Sequence, residues 1–204
     1  MNSLKKGAIL GLIAFILLIV YTSVVGYQTA VYYSTQTAIN YSNFVVISLN
    51  IVLLISSIGI VFYYIAFLRL GKKYKNKLLM VISWIFVIFA FINLFLTILS
   101  AVLSSIDLAK AAETNPALDP YILVAILAIL IIFILIFSAL TILFGIGIKR
   151  LKDAKHARVT GKLYIISGAT MIILIGFILI WVANFYAVAL LWKEGNRYEK
   201  KVKK

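Results

Sequence analysis

The side chains able to do chemistry in this chain are few, and they stand apart. His156 is the single histidine among 204 residues, and cysteine is absent. The acid closest to it in sequence is Asp153, in a stretch that also holds Lys149, Arg150, Lys152, Lys155, Arg158 and Lys162. An imidazole and a carboxylate in so charged a loop form a solvated pair. Acid–base work needs burial or a committed partner to tune a pKa. A structural zinc site takes about four ligands, more than this chain can assemble. The other acids, Asp107, Glu113, Asp119, Glu194 and Glu199, are scattered over loops and tail. They offer no Asp-rich metal motif, and no Ser-His-Asp set can form at membrane depth. No glycine-rich phosphate loop follows a strand. The expectation is no catalytic, cofactor or metal site, and no enzyme.

What remains is polar but uncharged. Asn50, Asn93 and Asn184 are the largest polar groups within apolar runs. An amide in hydrocarbon needs a partner, and bonds of this kind between helices contribute about 0.6–2 kcal/mol. They read either as packing bonds inside a bundle or as a polar path for a solute. Ser56, Ser57, Thr97, Ser138 and Thr141 weigh less, because hydroxyls can bond back to their own helix. Small residues form a second pattern. Gly7 and Gly11, with Ala14 on the same face, open the first apolar run, and Gly161, Gly168 and Gly176 recur through the last. Such stripes let helices approach closely, within one chain or between copies.

The elements that carry these residues follow from the charge gaps. No Asp, Glu, Lys or Arg occurs between Lys6 and Arg69, in Leu78 to Ile106, in Pro120 to Ile148 or in Leu163 to Trp192. Apolar runs of about 18 or more residues read as membrane-spanning helices. The chain is 64% hydrophobic, far above a soluble domain at about 45–50%. Five spans are predicted, at about 7–32, 44–68, 78–103, 121–148 and 163–192, followed by a basic tail at 193–204. Backbone groups in lipid must satisfy one another, so each span should be helical. The fold class expected is an all-α integral membrane bundle forming a single domain over 1–192. Its charge-free interior lacks the usual marker of a pump or proton relay.

Local signals mark the ends. Asp119-Pro120 offers an N-cap and a proline at the first helical position. Asn115-Pro116 breaks helix just upstream, and Lys110 with Glu113 suits a short helical extension of the third span. Gly71 is a candidate stop for the second span. Lys5-Lys6 before an apolar run resembles a signal peptide, but no small-x-small cleavage site closes it, so the first span is expected to be retained. Asn40-Tyr41-Ser42 is a glycosylation sequon in the uncharged link after that span.

Basic residues in short loops set orientation. Arg69, Lys72, Lys73, Lys75 and Lys77 follow the second span, and Lys149 to Lys162 follow the fourth. The opposing links hold only Lys110. The N-terminus is therefore expected in the cytoplasm, in a cell membrane whose anionic headgroups meet the basic loops. Nucleic acid is not the expected partner of the +14 charge. The tail conflicts with this pattern. Five crossings put Lys193, Arg197, Lys200, Lys201, Lys203 and Lys204 on the far side. Either the last span crosses regardless or it returns as a re-entrant hairpin. Thirty helical residues reach about 45 Å, too short for two crossings and a turn. On that ground a continuous helix through Gly176 is predicted, with the tail opposite the N-terminus. Gly176 is the expected bend in the alternative.

Ile65-Ala66-Phe67-Leu68-Arg69-Leu70 sits in the second span and its loop as Ile146-Gly147-Ile148-Lys149-Arg150-Leu151 sits in the fourth. This is either a parallel duplication of a hairpin or the shared look of any two basic-linked hairpins. The stretch from Gly161 to Phe177, GKLYIISGATMIILIGF, resembles the closing segment of an uncharacterised, largely archaeal, multi-pass membrane family known as domain of unknown function 996, or a sister archaeal family. Leu68-Arg69-Leu70-Gly71-Lys72-Lys73-Tyr74 resembles that family's earlier basic loop. The likeness covers about the last two thirds of the chain and rests on glycine and aliphatic residues. It implies a multi-pass membrane fold and no assigned activity. The functional expectation is a non-catalytic structural or interaction component, as a homo-oligomer or beside another membrane protein. The alternative is a small transporter or channel that uses the uncharged polar residues.

Overall fold

The computed structural model describes residues 2–35, 43–105, 120–151, 154, 156–173 and 175–202. All regular structure among them is helical. Helix α1 is Ser3–Thr35, α2 Asn43–Lys73, α3 Lys77–Ser105, α4 Pro120–Lys149, α5 Ala157–Thr170 and α6 Ile175–Val202, with a 3-10 turn Met171–Ile173 before α6. Five of them carry stretches long and apolar enough to cross a membrane: Ser3–Gln28, Ile47–Lys73, Lys77–Leu99, Ala128–Lys149 and Ile175–Glu199. The fold is an all-α helical bundle of membrane type. The sequon at Asn40, the segment holding Lys110, Glu113, Asn115-Pro116 and Asp119, and Asp153 lie outside the described residues.

The charge gaps, with the polar, uncharged link after the first span, locate α1 to α4 closely. Each helix runs slightly past its apolar run, and Pro120 takes the first position of α4. There its missing N–H removes no intrahelical bond. Gly71 does not end α2, which continues to Lys73. The stop comes from Lys75, at a φ of 51°, and from Asn76, whose side-chain oxygen accepts the Leu79 N–H at 3.0 Å and caps α3. Gly71 instead admits α3, since a Cβ there would lie 2.9 Å from Met80 Cγ.

Each helix packs on the next, and α6 closes the circuit against α1; among the described residues the α1 and α4 backbones do not come close. Glycines permit the closest approaches. A Cβ on Gly161 would stand 2.6 Å from the Gly145 carbonyl oxygen, so α4 and α5 meet backbone to backbone. Gly59 brings α2 to within the same distance of the Leu10 carbonyl oxygen on α1.

The last apolar run is not one helix. It breaks at Met171–Ile173, and α6 folds back along α5. Gly176 lies directly against Ser167 and Met171, a meeting that a continuous helix forbids. At the base of the hairpin, Lys193 Nζ touches His156 Nε2. The far end of α6 lies at the start of α1, where Asn2 Nδ2 donates to the Gly195 carbonyl at 2.6 Å. The tail is thus beside the N-terminus, and the continuous helix expected from length is overturned. Length failed as a criterion because two full crossings are not needed. The α5 leg with its 3-10 turn rises about 27 Å, against about 45 Å for α4. Gly176 is not the bend itself. It stands just after it and supplies the missing Cβ that lets the two legs meet.

Candidate functional site: a buried polar cluster and a basic end

The interior toward the Lys73 and Lys149 ends is filled by rings. Tyr64 stacks on Phe86 at 4.8 Å, and edge-to-face contacts of 5.0 Å join Phe15 to Tyr63, Phe67 to Phe144 and Phe144 to Tyr164. Such pairs contribute about 0.5–1.5 kcal/mol each beyond the area they bury. Set among these rings is one polar cluster. The Tyr63 and Tyr164 hydroxyls lie 2.8 Å apart, and Asn184 Oδ1 accepts from Tyr164 at 2.5 Å and from Tyr63 at 3.3 Å. Three helices, α2, α5 and α6, meet there. One acceptor shared by two phenols forms a neutral network with no nucleophile and no charge. Its chemistry is that of a clamp, holding the returning hairpin to the bundle.

The three asparagines singled out by sequence do not converge. Asn184 is buried in the clamp. Asn93, on the exposed side of α3, accepts from the Ser57 hydroxyl at 3.0 Å. Asn50 is half-buried on α2, about 10 Å along the helix from Ser57. The smaller hydroxyls mostly bond locally: Ser56 to Val52 O, Thr97 to Asn93 O and Thr141 to Phe137 O. Ser138 is the exception, donating across to Gly168 O at 2.6 Å and tying α4 to the upper part of α5. Gly7 and Gly11 are used inside the chain, against Ala66 and Tyr63. Gly161, Gly168 and Gly176 line the contacts of α4, α5 and α6.

A second group gathers where α6 ends. Glu194 is only 2% exposed and binds Lys73 Nζ and the Tyr74 hydroxyl at 2.7 Å each, with Arg197 Nη1 at 3.9 Å. Glu199 binds Lys5 Nζ at 2.5 Å and accepts the Asn2 backbone N–H at 3.2 Å. Lys5 also lies over the Trp192 ring at 5.4 Å. Both acids of the tail thus join α6 to α1 and to the α2–α3 turn. Asn76 Nδ2 adds a bond to the Gly147 carbonyl at 2.7 Å, linking that turn to the end of α4. Every basic residue described lies at this one end, from Lys5 and Lys6 through the two turns to the tail. His156 sits there as well, in the left-handed region at a φ of 72°, opening α5 beside Lys193.

Sequence reasoning passed over Tyr63, Tyr164 and Glu194. A Tyr63-Tyr64 pair well inside an apolar run was a usable signal, since buried phenols seek partners. Glu194 was counted among acids scattered over loops and tail, though two acids among six cations there already suggested pairing. Among the described residues, no three His, Cys, Asp or Glu side chains gather as a metal site would require. No family model, no curated protein and no solved structure matches the chain.

Proposed function

We propose that this chain is a non-catalytic structural or interaction component of the cell membrane, with its basic end and both termini in the cytoplasm. The observation that carries this reading is the gathering of the N-terminus, both basic turns and the basic tail at one end of an aromatic-filled bundle. That arrangement removes the one conflict with the rule that basic loops stay inside. Four crossings and a re-entrant hairpin then bring the C-terminus back to the side it started from. Exposed Arg69, Lys72, Lys75, Lys77, Lys149, Arg150, Arg158 and Lys162 are available to anionic headgroups. The tail acids are committed to Lys73 and Lys5, which is the use of charge in an assembly element. Kinship with the archaeal family named above belongs to the same proposal.

A transport path would have to pass the rings of Tyr63, Phe67, Phe144 and Tyr164, and Asn50 and Asn93 lie apart from the polar cluster behind them. The test is flux. Vesicles carrying the purified protein should retain small ions and neutral solutes as well as protein-free vesicles do. Saturable, protein-dependent leakage of any of them would overturn the reading in favour of a small transporter or channel.

A further inference from the structure

The hairpin ends well short of the helices around it. Ser138, bonded to Gly168 near the tip, lies about 16 Å along α4 from Lys149, so the 3-10 turn stands near half of α4's length of about 45 Å. Beyond that level no described residue replaces α5 and α6 between α4 and α1. Two helices are missing from the circuit there, a gap on the order of 20 Å at ordinary interhelical spacing. Side chains around the gap show it. Ile129, Leu130, Ile131, Ile132 and Phe133 follow one another on α4 and are all more than half exposed. Five successive residues point all round a helix, so this stretch of α4 is largely uncovered by the described residues. The floor offers Ile173 at 62% and Ile178 at 70%.

We propose that acyl chains of the lipid leaflet facing away from the basic end fill this space, entering between α4 and α1 and resting on the hairpin tip. Two observations select lipid over protein. The lining residues named are aliphatic or aromatic, without a polar atom that would need a protein partner. The free half of α4 also lacks glycine, and with it the close-packed glycine contacts that join α4 to α5 lower down. Between two apolar surfaces in hydrocarbon there is no hydrophobic drive to associate, and packing of small residues or polar bonds must supply it.

Depth-resolved fluorescence quenching tests this. Trp84, Trp181 and Trp192 are replaced by Phe, and Ile173→Trp places the only indole at the tip. The protein is reconstituted in phosphatidylcholine brominated either near the carbonyl end or near the methyl end of one chain. Bromine near the methyl end should quench roughly twofold more strongly, because the tip ends inside a hydrocarbon core of about 30 Å. Stronger quenching by the shallow label would mean that the tip reaches the far interface and would overturn the proposal. Quenching by neither label would mean that a second copy or another protein covers the tip, which overturns it equally. A parallel measurement keeps the wild-type chain. A phospholipid with a diazirine at its acyl terminus should label peptides containing 128–136 and 173–178, and labelling confined to the outer faces of α2 and α3 would count against the inference.

Discussion

Tyr164 holds the shortest bond of the buried cluster, 2.5 Å to Asn184 Oδ1, and stands 2.8 Å from the Tyr63 hydroxyl. Tyr63 reaches Asn184 only at 3.3 Å. Removing the Tyr164 hydroxyl therefore strips two good bonds, whereas removing that of Tyr63 leaves the better amide bond in place. Tyr164→Phe is expected to lower stability by about 1–2 kcal/mol and Tyr63→Phe by about half as much, at the scale of interhelical hydrogen bonds in membranes. Thermal unfolding in detergent ranks the two, and equal losses would show that the amide does not discriminate between them. The same logic separates the acids of the tail. Lys73→Met leaves the Glu194 carboxylate, 2% exposed, with Tyr74 and the more distant Arg197. A buried ion deprived of its partner destabilises strongly, and with two groups remaining the loss should be about 2 kcal/mol. Glu194→Gln removes the buried charge and keeps an acceptor, so it should be milder. A milder effect from Lys73→Met than from Glu194→Gln would contradict the pairing.

Helices α3 and α4 were legible from charge alone, because lipid excludes Lys, Arg, Asp and Glu and their absence marks each run, whereas the first two spans share one charge-free stretch and were divided by the polar, uncharged link around Asn40. The α5–α6 break was not legible. No proline, charge or positive-φ glycine marks Met171–Ile173. Apolar periodicity is also silent in a membrane, where buried and lipid-facing sides are alike. The two turns offered as a possible duplication, Ile65–Leu70 and Ile146–Leu151, are alike in burial, with Arg69 and Arg150 exposed and Leu70 and Leu151 buried. The legs that follow them differ, since α5 has 14 residues and α3 has 29. What makes the short leg stable is its backbone contact with α4, and glycine substitutions should expose that. In Gly161→Ala the new methyl would lie 2.6 Å from Gly145 O and 2.7 Å from the Lys149 nitrogen. Neither atom can yield without moving a helix, so the loss should be about 2–3 kcal/mol, as for other overpacked sites. Gly26→Ala meets nothing within 4 Å on α1. There the better helix propensity of alanine should leave stability unchanged or raised by about 0.5–1 kcal/mol. Similar melting shifts for the two variants would show that α4 and α5 are not in backbone contact.

At the scale of the whole molecule, two sequence arguments competed over where the chain ends. Thirty apolar residues favoured one crossing, while six cations after Trp192 favoured a return. The length argument assumed that a hairpin must cross twice. It need not, because a leg that stops inside the bundle satisfies its turn against protein: α4 reaches Gly168 through Ser138, and Met171 is fully buried. Irregular backbone at membrane depth is tolerated on that condition. Charge was the better guide, since moving a cluster of cations across a bilayer is opposed at every residue, whereas a partial crossing leaves them in water. The consequence is metric and does not depend on which side is the cytoplasm. Lys5 and Glu199 are in contact at 2.5 Å, while a continuous last helix would hold them on opposite faces, about 45 Å apart. The natural chain has no cysteine, and a Cβ on Gly195 would lie 2.7 Å from Lys5 Cγ and 3.3 Å from the Lys5 backbone nitrogen, so the pair Lys5→Cys and Gly195→Cys stands within disulfide reach and gives a clean reading. Mild oxidation in intact membranes should close an intrachain disulfide, seen as a mobility shift that reductant reverses. A control pair, Ser34→Cys with Gly195→Cys, joins opposite ends of the bundle and should not close. If the first pair stays reduced while each single cysteine reacts with a permeant maleimide, the hairpin does not bring the tail home.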